Sequence, residues 1–286
     1  MGFPPEIVEP FERAVGKKVL YNRPASGTEI IKQYGEEHLR TGRPILYTSG
    51  DSVFQIAAHE AVIPIETLYR WCEIARGLLV GKHRVGRVIA RPFVGKPGSF
   101  TRTHRRRDFT VPPDGPTLLD ELTAQGRRVY GIGKIEDLFS GRGVARAVHT
   151  ESNRDGLEKT VAALSGDDDL VFVNLNDFDT KFGHRNDPNG YARALEELDS
   201  FVPPLLSGLG DRDVLMITAD HGGDPSDVST DHTREFVPMV ATGPRVRAGA
   251  DVGTRATFAD LGATVAEHLG VAPLSGASFL SAIYRT

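Results

Sequence analysis

Residues 170–185, LVFVNLNDFDTKFGHR, join an apolar run to a polar continuation that carries Asp177, Asp179 and His184. The apolar residues at its start are typical of a buried strand. Residues 214–235, VLMITADHGGDPSDVSTDHTRE, show the same pattern, because an apolar run again leads directly into aspartate and histidine. Each stretch therefore predicts a strand whose carboxyl end is followed by a loop of potential ligands.

The order of elements around these stretches predicts the class of fold. Helical and strand patterns alternate from residue 117 onward. Such alternation is typical of an α/β core with a mostly parallel sheet and helices on both faces. The predicted strands cover residues 170–175, 214–218 and 237–241, and the predicted helices cover 156–164, 189–206 and 257–269, with Pro203 and Pro204 interrupting the second of these helices.

A proline-rich segment divides the chain. Residues 110–116, TVPPDGP, contain three prolines and a glycine, which is the composition of a hinge. Before it, short β-branched runs at 44–48 and 85–90 surround a helical pattern at 64–79. The sequence therefore predicts a compact α+β unit followed by a larger α/β core.

Polar loops that follow parallel strands collect at one edge of a sheet, where ligands bind. The two loops offer carboxylates and imidazoles, which suit Mn(II), Zn(II) or Mg(II). Mixed sets of this kind fit two divalent ions that clamp both oxygens of a phosphoryl displacement. The candidate ligands are Asp179, His184, Asp220, His221 and His232.

An Asp-His pair after a strand has a simpler interpretation as a cap or turn, since Asp readily caps a following helix. Two such clusters, with Gly222, Gly223 and Pro225 to bend the second loop, favour the metal interpretation. Asp177 and Asp231 are interpreted as capping or supporting residues outside the ligand set.

Composition restricts the class of protein. The 286 residues are 40% hydrophobic and 25% charged, which predicts a soluble globular protein, and a net charge of -4 argues against a nucleic-acid partner. The single cysteine, Cys72, excludes an internal disulfide, and no apolar stretch is long enough to cross a membrane. We therefore expect a cytoplasmic protein. The basic residues Arg102 and 104–107 are interpreted either as a solvated loop or as an aid in attracting an anionic substrate.

Several long motifs resemble those of the phosphopentomutases, a family of the alkaline phosphatase superfamily. The resemblance extends over nearly the whole chain and is highly specific. Its clearest segments are NRPASGTEII (22–31), YTSGDSVFQIAAHE (47–60), GRVIARPFVG (86–95), NLNDFDTKFGHR (174–185) and YARALEELD (191–199).

The resemblance implies an alkaline phosphatase-like core that carries a smaller α+β cap. The cap would cover residues 19–111 and the metal-binding core 112–286, with 1–18 as a linker left from a missing part of the core. The implied reaction interconverts ribose 1-phosphate and ribose 5-phosphate, or their 2-deoxy forms, in nucleoside catabolism. The implied cofactor is Mn(II), two ions per complete site, and the implied partner is the sugar phosphate alone.

The resemblance also assigns residues. Asp179, His184 and His232 correspond to the ligands of one ion, whereas Asp220 and His221 correspond to ligands of the other. The residues implied to hold the phosphate and the ribose hydroxyls are Ser49, Asp51, Arg87 and Lys134.

Two motifs of the family have no match in this sequence. In the family, an aspartate in a DSxGxG-like turn completes the second ion site, and a phosphorylated threonine carries the phosphoryl group. Here Asp51-Ser52 lies in the cap motif, and Thr28, Thr48 and Thr218 lack the context of the nucleophile. We therefore expect an N-terminally truncated chain with no identifiable catalytic nucleophile and little or no mutase activity.

Two alternative functions stay open. One is a related metal-dependent phosphatase or phosphoglycerate mutase, which the cap motifs argue against. The other is a catalytically dead metal- or sugar-phosphate-binding protein, which the missing threonine favours. The sequence contains no feature that decides the oligomeric state.

Overall fold

The structure, a computed structural model, describes residues 2–48, 53–230 and 232–285. The chain divides into two compact units, Met1–Pro112 and Pro113–Thr286, and the boundary falls between two prolines of the predicted hinge. Each unit has a hydrophobic core of its own.

The first unit is an α+β structure on one mixed sheet. Its strands are β1 (Leu20–Pro24), β2 (Ile45–Thr48), β3 (Phe54–His59), β4 (Arg87–Val94), β5 (Thr101–Arg102) and β6 (Arg107–Thr110). Its helices are α1 (Pro5–Val15), α2 (Gly27–Thr41) and α3 (Ile65–Leu78), followed by a 3-10 turn at Gly81–His83. The strand order is β1-β2-β3-β4-β5, and β6 also pairs with β4. The β1–β2 and β3–β4 pairs are parallel, and the other pairs are antiparallel.

Helices cover both faces of this sheet. Side chains alternate between the faces, so that Phe54 and Val88 belong to the core shared with α1 and α3, whereas Tyr47 and Phe93 belong to the core shared with α2. Every residue of β3 is buried. Burial on both faces suits its apolar residues, and the two polar ones, Gln55 and His59, are hydrogen-bonded.

The helix α1 corrects the expectation that residues 1–18 are a linker. Ile7 and Phe11 enter the core of the first unit, and Phe11 is fully buried, with its ring edge-on to that of Phe54 at 5.5 Å. Pro5 is the first residue of the helix, a position that accepts proline, and the helix continues through Pro10 in its interior. Gly16, with φ of 70°, ends the helix in the left-handed conformation.

Two buried histidines join α2 to β3. His38 is fully buried, its Nδ1 lies 2.6 Å from the carbonyl of Arg43, and its Nε2 accepts the backbone N–H of His59 at 2.8 Å. Only a neutral ring with the proton on Nδ1 satisfies both contacts. Burial is the main cause that lowers the pKa of His38.

We expect the first unit to lose stability in mild acid through His38. Because the pKa of His38 is lower in the folded chain, the unfolded chain binds a proton at His38 more readily. The contribution of neutral His38 to the free energy of unfolding is therefore complete above about pH 6.5. Below that pH it falls by up to about 1.4 kcal/mol per pH unit. The measurement is denaturant unfolding at pH 7.5 and 5.5, followed by the fluorescence of the buried Trp71, the single tryptophan. His38→Gln should show a smaller difference between the two pH values, and an equal difference would contradict the assignment.

The second unit contains a parallel sheet. Its strands are β7 (Val129–Ile132), β8 (Arg146–Val148), β9 (Leu170–Val173), β10 (Leu215–Thr218) and β11 (Met239–Thr242). Its helices are α4 (Leu118–Ala124), α5 (Ile135–Phe139), α6 (Asn153–Ala163), α7 (Pro188–Ser207), α8 (Ala259–His268) and α9 (Leu280–Ile283). The parallel sheet has the order β8-β7-β9, and β10 and β11 form a separate antiparallel pair.

The fold class is mixed α/β, as predicted, with parallel sheet elements and helices. Leu119, Leu122 and Val129 form the core of the second unit together with Ala266 of α8. The pairing of β10 with β11 differs from the expectation in detail. Alternation of helix and strand predicts parallel neighbours, but these two strands are antiparallel. Here the described residues of 219–238 form a long irregular connection without a helix, and β11 returns antiparallel to β10.

The helix α7 passes through Pro203 and Pro204, where the sequence predicted an interruption. Proline has no N–H for the carbonyls of Asp199 and Ser200, but these residues are exposed, so water can bind the carbonyls instead. The buried Leu205 then fixes the last turn to the unit. Among the helices that the structure describes, none is long and apolar enough to cross a membrane.

Candidate metal centre

The loop after β9 folds into two consecutive tight turns. Residues Phe178–Phe182 form a π-helical turn that contains Asp179, and Gly183–Arg185 form a 3-10 turn that contains His184. The backbone N–H of Thr180 donates to the carbonyl of Asn176 at 3.0 Å. These turns bring Asp179 and His184 to one side of the loop.

Three predicted ligands meet at one point. Oδ1 of Asp179 lies 3.2 Å from Nε2 of His184 and 3.3 Å from Nε2 of His232. One ligand atom from each of the three residues lies within 4.8 Å of the others. The two loops that the sequence singled out therefore converge, although Asp179 and His232 are 53 positions apart in the sequence.

The spacing of these atoms fits a divalent cation. Ligand atoms at about 2.1 Å from a tetrahedral ion lie about 3.4 Å from one another. The distances from Asp179 to the two imidazoles are close to that value. A carboxylate oxygen with two imidazole nitrogens also has the donor chemistry that Mn(II) and Zn(II) accept.

Backbone carbonyls orient two of the histidines. Nδ1 of His184 is hydrogen-bonded to the carbonyl of Thr230, and Nδ1 of His221 lies 3.0 Å from the carbonyl of Gly222. A ring whose Nδ1–H donates to a carbonyl presents the lone pair of Nε2 to an ion. Nε2 of His184 is also the atom that faces Asp179.

The second predicted pair lies beside the first cluster. The rings of His221 and His232 are stacked, with centroids 3.6 Å apart and planes at 15°. Nε2 of His221 lies 3.8 Å from Oδ1 of Asp220, whose side chain is mostly exposed. Asp220 and His221 thus form a two-residue set next to the three-residue set.

Asp177 is held away from the cluster by other partners. Its Oδ2 accepts the backbone N–H of Asn153 at 2.9 Å and the ammonium of Lys181 at 3.0 Å. This supports its interpretation as a capping residue, because Asn153 is the first residue of α6. Asp231 lies outside the described residues.

A glycine closes the second loop. Gly222 forms an isolated antiparallel bridge with Thr233, whose N–H donates to the carbonyl of Gly222 at 3.1 Å. A Cβ at Gly222 would lie 2.9 Å from atoms of Thr233 and Glu235. The close approach of the two backbone segments therefore requires glycine, and the bridge fixes the segment that follows His232.

The four predicted substrate residues have different surroundings. Lys134 precedes α5 in the second unit. Its ammonium donates to Oδ1 of Asn176 at 2.7 Å, which places it beside the loop after β9, called the metal loop below. Arg87 begins β4 of the first unit and lies 3.9 Å from the carboxylate of Asp108. Ser49 and Asp51 lie outside the described residues.

A cleft of about 350 Å³ lies along the metal loop in the second unit. Lys134, Asn176 and Thr180 line it, together with residues that sequence reasoning missed. These additional residues include His149, Thr150 and Lys181. They follow β8 or lie on the π-helical turn, and their position after a strand was the signal that could have found them.

Two of the basic residues at 104–107 form ion pairs. Arg105 contacts the carboxylate of Glu60 at 3.1 Å, and Arg106 binds Asp108 through two hydrogen bonds of 2.7 Å. Both pairs are partly exposed. These contacts favour the simpler interpretation of a solvated, ion-paired surface.

Comparison with known proteins adds a consistent finding. The model of the metalloenzyme superfamily matches residues 130–273, which include the five candidate ligands. A phosphopentomutase of Caldanaerobacter subterraneus subsp. tengcongensis is 56% identical over 281 residues, covering 98% of this chain and 72% of the relative. A phosphopentomutase of Anaeromyxobacter dehalogenans is 58% identical over 286 residues, covering 99% of this chain and 73% of the relative.

A more distant solved structure also matches. It is described as crystal structures of Leishmania mexicana phosphoglycerate mutase at low cobalt concentration. The match has a TM-score of 0.46 and 23% identity, and it covers 59% of this chain and 39% of the other. The assignment to a family rests on the curated relatives.

Proposed function

Because this chain belongs to the phosphopentomutase family, we propose that it acts on ribose 1-phosphate and ribose 5-phosphate, or their 2-deoxy forms, at a site for two divalent cations. Membership makes the chain an isomerase of the metalloenzyme superfamily. The observation that carries the proposal is the convergence of Asp179, His184 and His232. The proposed setting is nucleoside catabolism in the cytoplasm.

The proposed cofactor is Mn(II). Asp179, His184 and His232 would hold one ion, and Asp220 and His221 would contribute to the other. Oxygen and imidazole donors together suit this metal. The contact between the rings of His221 and His232 supports two ions close to each other, as a phosphoryl displacement requires.

The ions, when bound, would stabilise negative charge on the transferring phosphoryl group. The residues of the chain prepare the site. The carbonyl of Thr230 orients His184, and Asn176 holds the ammonium of Lys134 at the edge of the cleft. There Lys134 can bind a phosphate oxygen as a point charge. Arg87, Ser49 and Asp51 remain proposed contacts of the sugar phosphate.

We also propose that transfer proceeds through a phosphothreonine, as the family resemblance implies. A covalent intermediate divides one difficult displacement into two easier ones. Thr28, Thr48 and Thr218 lack the sequence context of that nucleophile, and we offer none of them as the carrier.

Calorimetric titration tests the proposal. We expect the 286-residue polypeptide to bind Mn(II), and to bind ribose 5-phosphate more tightly when Mn(II) is present, because cations and Lys134 both attract the phosphate. 3-Phosphoglycerate serves as the control ligand and should bind more weakly. The proposal would be overturned if neither Mn(II) nor ribose 5-phosphate bound.

A phosphorus NMR assay separates the alternatives. With Mn(II) and ribose 5-phosphate, formation of ribose 1-phosphate would support the proposed mutase activity. Release of inorganic phosphate would instead favour a phosphatase, and turnover of 3-phosphoglycerate would favour a phosphoglycerate mutase. Binding of ribose 5-phosphate without formation of any of these products would favour a catalytically dead binding protein.

A further inference from the structure

The loop that carries Asp179 is attached to helix α6 through a buried asparagine. Asn153 is 3% exposed and begins α6. Its Oδ1 accepts the backbone N–H of Asp177 at 2.9 Å, and its own backbone N–H donates to Oδ2 of Asp177 at 2.9 Å. Each of the two residues therefore supplies one backbone donor and one side-chain acceptor to the other.

This reciprocal pair lies immediately before the π-helical turn. Asp177 precedes Phe178–Phe182, and Asp179 is two residues further along the chain. A π-helical turn is rare and is frequently found at functional sites. The hydrogen bonds to Asn153 fix the backbone where the turn begins.

The pair also determines which aspartate faces the imidazoles. Oδ2 of Asp177 is occupied by the N–H of Asn153 and the ammonium of Lys181. Oδ1 of Asp179 is the atom that lies near His184 and His232. Asn153 thus favours one arrangement of two nearby carboxylates.

A second attachment holds the other side of the same loop. Asn176 accepts the ammonium of Lys134 at 2.7 Å, and its amide donates to Oγ1 of Thr180 at 3.0 Å. With this attachment in place, removal of the Asn153 side chain should loosen the start of the turn without unfolding the loop.

We propose that Asn153 is a positioning residue for the metal centre, acting through Asp177 to set the place of Asp179. The proposal rests on the proposed function, because it takes Asp179 as a metal ligand. The hydrogen bonds of Asn153 join it to Asp177, and its side chain acts on the backbone of the loop. Residues that orient metal ligands in this indirect way commonly change metal affinity by about 10- to 100-fold when substituted.

The test compares Asn153→Ala with two other variants. Asn153→Asp keeps an acceptor oxygen at the same place, and Thr160→Ala alters a buried residue of α6 whose hydroxyl donates to the carbonyl of Gly156 within the helix. Amide hydrogen exchange of residues 177–182 is measured without metal, and Mn(II) affinity is measured by calorimetry. Thermal unfolding verifies that each variant is folded.

We expect Asn153→Ala to speed exchange at 177–182 and to weaken Mn(II) binding, each by about tenfold. Thr160→Ala should leave both within about threefold of wild type, and Asn153→Asp should recover most of the protection. If Asn153→Ala leaves exchange unchanged, or if Thr160→Ala produces the same losses, the inference is wrong. Because exchange is read without metal, this result is separate from whether the wild-type chain binds Mn(II).

If Asn153→Ala does not fold, the measurements on Asn153→Asp alone test the positioning role of Asn153. Wild-type exchange and Mn(II) binding in that variant support the role of the acceptor oxygen. Loss of protection despite the retained oxygen overturns it.

Discussion

Asp179→Asn should lower the affinity for Mn(II) by about 100-fold or more, since it removes the negative charge of a proposed ligand that faces two imidazoles. Oδ1 of Asp179 lies within 3.3 Å of Nε2 of both His184 and His232. The neutral amide keeps the shape of the side chain but is a far poorer ligand for a divalent cation. Calorimetric titration with Mn(II) measures the change directly.

The matched control is Asp224→Asn. Asp224 is exposed in the second metal loop, and its Oδ1 accepts the N–H of Ser226 at 2.8 Å, which an asparagine can also do. This variant changes the net charge as Asp179→Asn does. Equal losses of affinity in both variants would mean that general electrostatics, and not coordination by Asp179, attracts the cation.

Phe11→Ala should destabilise the first unit by about 3–5 kcal/mol, the usual cost of removing a fully buried phenylalanine. Phe11 has no exposed surface and packs edge-on against Phe54 in the core. The free energy of unfolding is obtained from denaturant titration followed by Trp71 fluorescence. This change tests whether α1 is part of the unit or only precedes it.

Glu9→Ala provides the comparison on the same helix. Glu9 is exposed and lies 3.8 Å from Arg13, so its removal should change the free energy of unfolding by less than about 0.5 kcal/mol. Similar small effects of Phe11→Ala and Glu9→Ala would show that α1 does not contribute to the core in solution.

Strand ends were the most predictable part of this molecule. An apolar run that stops at a polar residue identifies the end of a buried strand, and so the loops after β9 and β10 could be located before the structure was known. Their convergence was expected from the rule that ligands gather at the carboxyl ends of the strands of one sheet. Asp179, His184 and His232 do meet, although the structure places β9 and β10 in different sheets.

Proline misled the sequence reasoning twice. Pro5 begins α1 in a segment that was expected to be a linker, and α7 continues through Pro203 and Pro204, where an interruption was expected. Proline is tolerated in a first turn, and burial of Phe11 or Leu205 outweighs its cost elsewhere. Such burial depends on tertiary packing, which local sequence does not contain.

The supporting contacts of the site were not predictable. Asn153 follows Ser152 at the start of a helical pattern, where Ser and Asn usually act only as local caps. Its bonds to Asp177 join positions 24 residues apart. No periodicity or spacing encodes a pair of this kind, because it depends on how α6 packs beside the loop.

The stacked imidazoles of His221 and His232 have a consequence for how the site would fill. Their planes are only 15° apart at a centroid distance of 3.6 Å, so one ring cannot turn without displacing the other. If each ring ligates its own ion as proposed, the first ion to arrive leaves the second ring already oriented. Binding of the two ions would then be cooperative. The binding isotherm would be sigmoidal, and the protein with a single bound ion would be scarcely populated.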